Sequence, residues 1–330
     1  MLYRVRHPQP GTLRARLLLV ALVGLATAVV APPAAWAARV VRLYEIDIAG
    51  EPSAPAVQEA MRRVLVRATG RREAATDPAL STIVTDASRY VQSSRKSGNG
   101  TTQVAFDSTA LEQAIASAGR SVWERERPFT LVVFYPPLSG TAAESARVEL
   151  EKAAEIRGLP ISLAPVAVVD ANGVDLPREA VLQAAQRLGG DAVLIARGDK
   201  VALNGVWQWT LQTNFATENW SGALDAGVNG AVDAMARVQA ASATMAELET
   251  IVQVGGVSTL NDYAAVGRLL ESIPGTRRVS LAEASGSTAT FSVVVRGGVD
   301  AVDRALSSSS RLSRAGAPNE RAQLVYQYKP

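Results

Sequence analysis

Two tryptophans two positions apart, Trp207 and Trp209, have the type and spacing that point most directly to a binding surface. Alternate residues of a strand lie on one face of a sheet, so a strand here would place both indole rings side by side. Such a pair can stack on a sugar ring or clamp a peptide of a partner protein. The alternative is that both rings pack in the core beneath the helix expected from Leu224 onward, because aromatic residues are frequent in strands and bury large areas.

Charged side chains form two further candidate sets. Glu45 and Asp47 alternate with apolar residues, which places both carboxylates on one strand face, where they could do acid/base chemistry or bind calcium. A run of arginines in the next segment could bind a phosphate or an acidic partner. These arginines are Arg62, Arg63, Arg67, Arg71 and Arg72. For both sets the alternative is an ordinary solvated face of a strand or helix.

The near absence of cysteine and histidine limits the reactions and metal sites that the chain can support. The chain has no cysteine, and its one histidine, His7, lies in a segment that we expect to be removed. Without thiol or imidazole, the mature chain cannot form a structural zinc site, a Ser-His-Asp or Cys-His nucleophile, or a redox dithiol. A Ser-Lys pair would need a desolvated lysine, but Lys96 and Lys200 fall in expected loops and Lys152 on an acidic helix surface. We therefore predict no metal and no cofactor, and assign no catalytic residue.

The first 37 residues have the organisation of a secretory signal peptide. Four arginines and no acidic residue precede or border an apolar run at residues 17–31, which two prolines end. Ala35-Trp36-Ala37 then places small residues where a signal peptidase cleaves, so we expect the mature chain to start at Ala38. The run of about 15 residues is shorter than the roughly 20 that a permanent transmembrane helix needs. The alternative is an uncleaved chain anchored in the inner membrane by residues 17–31.

Removal of this segment changes the charge of the protein. It holds four of the 34 Lys and Arg residues, so 30 remain against 31 Asp and Glu. The mature chain is close to neutral, and the sequence pI of about 9.3 belongs to the precursor. A neutral exported protein has no electrostatic reason to bind nucleic acid or an anionic membrane. We expect a periplasmic protein that contacts the membrane only if the signal stays uncleaved, and the sequence leaves its oligomeric state open.

Hydrophobic periodicity divides the mature chain into three modules of α/β and α+β type. Residues 38–126 are predicted to form an α+β module, with a strand through Ile48, two helices, a further strand and a third helix. Residues 127–250 are predicted to form a sheet domain in the order βαβαββα, which ends in a long helix from about Leu224 to Leu248. Residues 251–330 have the order βαββαβ, which is typical of ferredoxin-like folds.

Several short stretches of the first two modules resemble one uncharacterised family. They are Val64–Arg72, Asp77–Leu80, Arg89–Val91, Gly190–Leu194 and Trp207–Leu211. These stretches are similar to a proteobacterial family called domain of unknown function 2066 (DUF2066), over the chain from about Tyr44 to Leu248. The resemblance implies an exported protein of unknown activity and transfers no catalytic residue.

The sequence favours a non-enzymatic envelope protein that binds another envelope protein or assembly through exposed sheet edges or helix faces. This prediction depends on the missing catalytic sets and on module orders that resemble docking domains. The alternative is a carbohydrate- or peptidoglycan-binding protein, or a hydrolase that uses carboxylates, with Trp207 and Trp209 lining its cleft. Burial of both rings under the Leu224 helix would remove the cleft from that alternative.

Overall fold

The computed structural model describes residues 42–198, 205–243 and 245–329 of the chain. The predicted signal peptide, its apolar run and the cleavage position between Ala37 and Ala38 lie outside these residues, as does Lys200. Within the described ranges, the chain has three β-sheets of three, five and five strands, together with eight α-helices. The predicted mixture of helices and strands is thereby confirmed. The described residues belong to one compact unit.

The N-terminal sheet has three antiparallel strands in the order β1-β3-β2. Its strands are β1 (Glu45–Ala49), β2 (Val91–Lys96) and β3 (Thr101–Phe106), and its α-helices are α1 (Ala54–Thr69), α2 (Ser81–Thr85) and α3 (Ser108–Ser117). Pro55 lies in the first turn of α1, where its missing N–H costs nothing. The helix ends at Gly70, whose φ of 69° is a left-handed value that glycine adopts without strain. Met61 and Leu65 of α1 share a core with Ile46.

One helix predicted for this region is wrong. The pattern from Asp77 to Val91 predicts a single helix, but the chain forms 3-10 turns, the short helix α2 and then the start of β2. Strand β2 pairs with β3 and leaves five of its six residues exposed. It shows no alternation of apolar and polar residues because it is an edge strand with no buried face. Asn99 and Gly100, both at positive φ, form the turn into β3.

The central sheet has five strands in the order β5-β4-β6-β7-β8. Its strands are β4 (Thr130–Tyr135), β5 (Ile161–Leu163), β6 (Ala192–Arg197), β7 (Trp207–Gln212) and β8 (Thr217–Gly222), and its helices are α4 (Gly140–Arg157), α5 (Arg178–Arg187) and α6 (Leu224–Ala243). Strand β4 is parallel to both of its neighbours, and its apolar sequence is buried on both faces. Val132 packs with α4 and α6, whereas Leu131 packs with α5 on the opposite face.

The central region differs from the predicted order βαβαββα in two places. Strand β8 is an additional strand, which pairs antiparallel with β7 at the edge of the sheet. Its alternating residues are largely polar, so nothing in its sequence marks a buried face. The last helix, α6, ends at Ala243 and not at Leu248, because the chain from Glu247 onward forms a strand that pairs with residues 288–296 of the C-terminal sheet. The residues up to Leu248 have good helix propensity, so only their pairing with another strand accounts for the earlier end of the helix.

The C-terminal sheet has the order β10-β11-β9-β13-β12. Its strands are β9 (Glu247–Gly255), β10 (Thr276–Ser285), β11 (Thr288–Arg296), β12 (Leu312–Gly316) and β13 (Leu324–Tyr328), and its helices are α7 (Leu260–Glu271) and α8 (Gly298–Ser307). The predicted order βαββαβ lacks β12, which buries only Leu312 and therefore carries no strand pattern. The chain returns from β12 into β13, which lies between β12 and β9 and runs parallel to β9.

Candidate functional site

The two tryptophans of β7 lie on one face of the strand, as predicted, and that face is buried. Trp207 is 1% exposed and Trp209 is 0% exposed, and both pack with Leu224 of α6. The Trp209 indole Nε1 donates a hydrogen bond of 3.2 Å to the carbonyl of Ala223. A Cβ at Gly227 would lie 2.6 Å from the Trp209 ring, so the helix is already in direct contact with that ring. Neither ring therefore offers a face on which a sugar could stack.

The charged sets do not form a shared site either. Glu45 lies 3.8 Å from Arg42, and Asp47 is exposed on the same strand. Arg62 and Arg63 both form ion pairs with Glu59 on the surface of α1. In the part of the chain that the structure describes, no group of three or more acidic or histidine side chains is arranged to hold a metal ion.

A group of buried arginines lies where α1 meets the central sheet region. We call this group, Arg67, Arg127 and Arg157, the arginine junction. Arg157 of α4 is 1% exposed and donates to the carbonyl of Gly70 at 2.8 Å. The same side chain donates to Asp233 at 2.6 Å and to the Asn229 side chain at 2.8 Å, both on α6. Arg157 therefore joins the end of α1 to two helices of the central region.

The other two members of the arginine junction bind mostly to carbonyl groups. Arg67 is 6% exposed and donates to the carbonyls of Arg42 at 3.1 Å and Glu45 at 3.0 Å, and it pairs with Glu155 at 3.3 Å. Arg127 is 7% exposed, donates to the Arg67 carbonyl at 2.8 Å, and has its guanidinium 3.5 Å from the centre of the Trp123 ring. Burial lowers the pKa of Arg67 and of Arg127.

The arginine junction holds the packed elements together and is not an open binding site. Its guanidinium groups are buried among carbonyls, one indole ring and two helices. Of the five arginines that the sequence suggested as an anion site, the structure buries Arg67 and pairs Arg72 with Asp233 at 3.0 Å. A helical i,i+4 pattern could not reveal this role, since the partners Glu155 and Asp233 come from distant helices.

A polar cleft lies between the central and C-terminal sheet regions. It is bordered by α5, the turn after β7, α7 and the segment that follows α8, and its lining residues are Arg178, Glu179, Leu182, Gln183, Gln186, Asn214, Ala265, Leu269, Ser309, Ser310 and Arg311. Leu182 and Leu269 are buried and form an apolar floor. The cleft contains and borders about 380 Å³ of empty space, of which about 20 Å³ admits a water-sized group. It is therefore a shallow opening.

One arginine of the cleft already has a carboxylate partner. The Nε of Arg178 lies 3.2 Å from Glu179, and its Nη2 donates to the carbonyl of Ser308 at 2.7 Å. Burial raises the pKa of Glu179, but hydrogen bonds from its own backbone N–H and from Ser310, together with Arg178, outweigh burial and leave that pKa below its usual value. Glu179 is thus a carboxylate at neutral pH, and its charge compensates that of Arg178.

The second arginine of the cleft has no such partner. The Nη2 of Arg311 donates to the hydroxyl of Tyr328 at 2.7 Å, and its guanidinium lies 5.4 Å from the centre of the Tyr328 ring. Among the described residues, no carboxylate lies within ion-pair distance of Arg311. The backbone N–H of Arg311 donates to the Ser309 hydroxyl at 3.3 Å, which fixes the start of β12 at the rim. Among the described residues, the cleft therefore has one positive charge without a carboxylate partner.

The polar groups of the cleft can donate and accept hydrogen bonds. Its polar groups are guanidinium, amide and hydroxyl groups, and the one carboxylate is engaged by Arg178. No group here can act as a base of neutral pKa, so the described lining offers no general acid/base pair. The sequence could not reveal the cleft, because its residues come from four segments that are far apart in the chain and none of them forms a local motif.

Comparison with protein families gives one match, in the N-terminal part. Residues 37–124 match the model of a family described as "Domain of unknown function (DUF8605)". The predicted resemblance to DUF2066 is therefore wrong, because the family model that matches this stretch is a different one. The error came from short stretches of a few residues each, which do not distinguish one uncharacterised family from another. The matched range includes α1, α2 and α3 and ends beside Trp123.

The other comparisons add no function. The search of curated proteins gives no match to the chain. Among solved structures, allophanate hydrolase from Kluyveromyces lactis is 8% identical, with a TM-score of 0.18, over 69% of this chain and 61% of that chain. The chain thus spans about three fifths of that enzyme's length, and a likeness this weak carries no argument. Within residues 42–198, 205–243 and 245–329, no helix is both long enough and apolar enough to cross a bilayer.

Proposed function

We propose that the chain is a non-enzymatic accessory protein of the cell envelope that binds another protein in the cleft between α5 and α7. The observation that carries this proposal is the cleft lining: amide, hydroxyl and guanidinium groups around the apolar floor of Leu182 and Leu269. Such groups recognise a partner by hydrogen bonds and contact area. The proposal keeps the class of function that the sequence favours and moves its place from the sheet edges to the cleft.

Two of the exposed strand edges, those of β2 and β10, are less suitable places for docking. Strand β2 is shifted in register between Val91 and Ser93, and β10 carries two such irregularities. Bulges and charged residues at an edge, such as Arg95 and Lys96 of β2, are the devices that prevent edge-to-edge pairing. The cleft has no comparable obstruction.

Site-specific photo-crosslinking in the host tests this proposal. A photoreactive amino acid replaces Gln183, which is exposed at the cleft and makes no side-chain hydrogen bond with another described residue. The matched control replaces Gln92, an exposed glutamine of β2. We expect one protein adduct, identified by mass spectrometry, from position 183 and none of that protein from position 92. Equal adducts at both positions, or none at position 183, would refute docking at the cleft.

We also propose that the chain is exported to the periplasm and cleaved between Ala37 and Ala38. The support is the basic and then apolar organisation of residues 1–37 and the small residues before the cleavage position. Sequencing of the mature amino terminus from fractionated cells tests this. We expect Ala38 as the first residue in the periplasmic fraction. A chain that still starts at Met1 in the membrane fraction would instead support the anchor at residues 17–31.

We infer a ferredoxin-like core for the C-terminal sheet, with β12 and the reversed β13 as an elaboration. The support is the neighbour order β10-β11-β9-β13 and the positions of α7 and α8 between strands. This fold serves many unrelated functions and gives the docking proposal no extra weight.

A further inference from the structure

The charges around the cleft leave one guanidinium available to a ligand. Arg178 and Glu179 compensate each other, whereas Arg311 contacts only the Tyr328 hydroxyl and ring among the described side chains. A guanidinium binds a carboxylate through charge-assisted hydrogen bonds that are stronger than those between neutral groups. The single contact to Tyr328 leaves other N–H groups of Arg311 without a partner among the described residues. The charge of the cleft therefore favours an anion.

Neutral donors lie next to this charge. Gln183 and Gln186 are one helical turn apart on α5, and neither side chain hydrogen-bonds to another described residue. The Asn214 side chain across the cleft donates to Ser272 at 2.9 Å. Amide groups on two sides of a shallow opening can bind the main chain of an extended peptide, which presents both N–H and C=O groups.

The dimensions decide between a small molecule and a peptide. The cleft as a whole encloses little space, because water-sized groups can occupy only about 20 Å³ of it. A single water needs roughly 10–15 Å³ measured in this way, so no more than one or two small groups are enclosed there. A metabolite would remain largely exposed, and compact ligands usually have most of their surface buried. A peptide that lies across the opening needs only one side chain or terminus to enter.

We propose that the cleft binds an acidic peptide segment of a partner protein, with a carboxylate of that segment against Arg311. Main-chain groups of the segment contact Gln183 and Gln186, and an aliphatic side chain covers Leu182 and Leu269. The carboxylate comes either from an Asp or Glu side chain or from the carboxyl terminus of the partner. This inference rests on the proposed docking function and names the chemistry of the partner.

Binding of defined peptides to the full mature chain tests the inference. The probes are fluorescently labelled hexapeptides of alternating Glu and Leu, with free and with amidated carboxyl termini, and the matching peptides of alternating Gln and Leu. We expect the Glu peptide to bind at least about tenfold more tightly than the Gln peptide, and the difference to shrink with added salt. Loss of affinity on amidation alone would identify a terminal carboxylate as the group bound.

Three variants locate the binding. Arg311→Gln should weaken binding of the Glu peptide about tenfold or more. Gln183→Glu should weaken it by repulsion, at a side chain that has no hydrogen bond with another described residue. Arg304→Gln removes an exposed arginine of the nearby helix α8 and should leave the affinity unchanged. Thermal unfolding of each variant confirms that it is folded.

The outcomes separate this inference from the docking proposal. Absence of Glu-peptide binding up to millimolar concentration, equal binding of Glu and Gln peptides, or binding that survives both cleft variants would overturn the carboxylate inference. The crosslink at position 183 is then measured in the Arg311→Gln chain. If the yield of the identified adduct is unchanged in that variant, docking at the cleft is supported and binding of a carboxylate by Arg311 is refuted. If no protein is crosslinked at position 183 in any chain, the docking proposal itself falls.

Discussion

Arginine differs in its surroundings between two of the junctions that join the sheet regions. At the arginine junction, Arg157 of α4 is enclosed, and its hydrogen bonds reach α6 and the carbonyl at the end of α1. At the cleft, Arg311 is half-buried, has one side-chain partner and faces open space. The first junction is closed by its arginines, whereas at the second Arg311 has no carboxylate partner among the described residues. The two sets of arginines therefore differ in their number of partners and in the space beside them, although the residue type is the same.

The largest expected effect comes from removing the centre of the arginine junction. Arg157→Ala leaves the Gly70 carbonyl without its donor and takes from Asp233 its closest cation, so we expect the free energy of unfolding to fall by about 3 kcal/mol. Urea unfolding measures this loss. The control is Arg147→Ala on the same helix, where an exposed arginine pairs with Glu144 and Glu151, and we expect a loss below about 1 kcal/mol. Equal losses of unfolding free energy in the two variants would show that the enclosed arginine stabilises the fold no more than the exposed one.

A second test compares two glycines of the same backbone conformation. Gly70 and Gly50 have φ values of 69° and 72°, so an alanine is strained at both by about 1 kcal/mol. At Gly70 a Cβ would also lie 2.7 Å from Ala236 and 2.8 Å from Trp123, whereas at Gly50 it meets nothing within 4 Å. We expect Gly70→Ala to cost about 2–4 kcal/mol and Gly50→Ala about 1 kcal/mol, since overpacking adds to the strain. Matching unfolding midpoints for the two variants would contradict close packing at the junction.

An ion pair within the N-terminal region provides a third comparison, through pH. Hydrogen bonds from Arg120, at 2.6 and 3.0 Å, and from the Ala79 N–H lower the pKa of Asp77 to about 2. A carboxyl whose pKa is lowered by folding stabilises the fold above its unfolded pKa of about 3.9, and this contribution disappears as the pH falls towards 2. We expect Asp77→Asn to reduce stability at pH 6 and to flatten its fall between pH 4 and 2.

The matched variant for this pH experiment is Asp86→Asn, which removes an exposed pair with Arg89 at 3.4 Å. Urea unfolding at pH 6, 4, 3 and 2 compares the slopes of the two variants with that of the unmodified chain. A slope for Asp77→Asn that coincides with the unmodified chain would show that the Asp77–Arg120 pair does not stabilise the fold.

The smallest expected effect on stability belongs to the cleft. Arg311→Gln loses one hydrogen bond to Tyr328 at a half-buried position, so we expect the free energy of unfolding to change by less than about 1 kcal/mol. The same urea series measures it beside Arg157→Ala. A loss of stability as large as that of Arg157→Ala would show that Arg311 also stabilises the fold. It would contradict the proposal that Arg311 is there to bind a ligand.

Local sequence patterns predicted the elements that have one apolar face or a strong cap. The helix that ends at Gly70 and the apolar strand β4 are both present, and the Asp107 side chain caps α3 by accepting from the N–H groups of Thr109 and Ala110. The strands that were missed, β2, β8 and β12, all lie at sheet edges. These three strands have few buried apolar residues, so their sequences have no periodicity from which to predict them.

The candidate site could not be predicted from the sequence, for a different reason. Arg67 lies on α1 with arginines at neighbouring turns, which is the pattern of a solvated helix face, and only the contact with Glu155 of α4 shows that it is buried. Arg178 and Arg311 are 133 positions apart and border the same cleft. Spacing along a chain predicts neighbours within one helix or strand, whereas both junctions consist of neighbours from different ones.

The bond from Arg157 to the Gly70 carbonyl also bears on the order in which the chain can fold. It joins residues 87 positions apart, and the pair of Arg72 with Asp233 joins residues 161 positions apart. Contacts of such long sequence separation form late and slow the overall folding rate, because a long loop must close before they are made. During synthesis, the end of α1 therefore lacks its contacts with Arg157 and Asp233 until residues 157 and 233 have been translated.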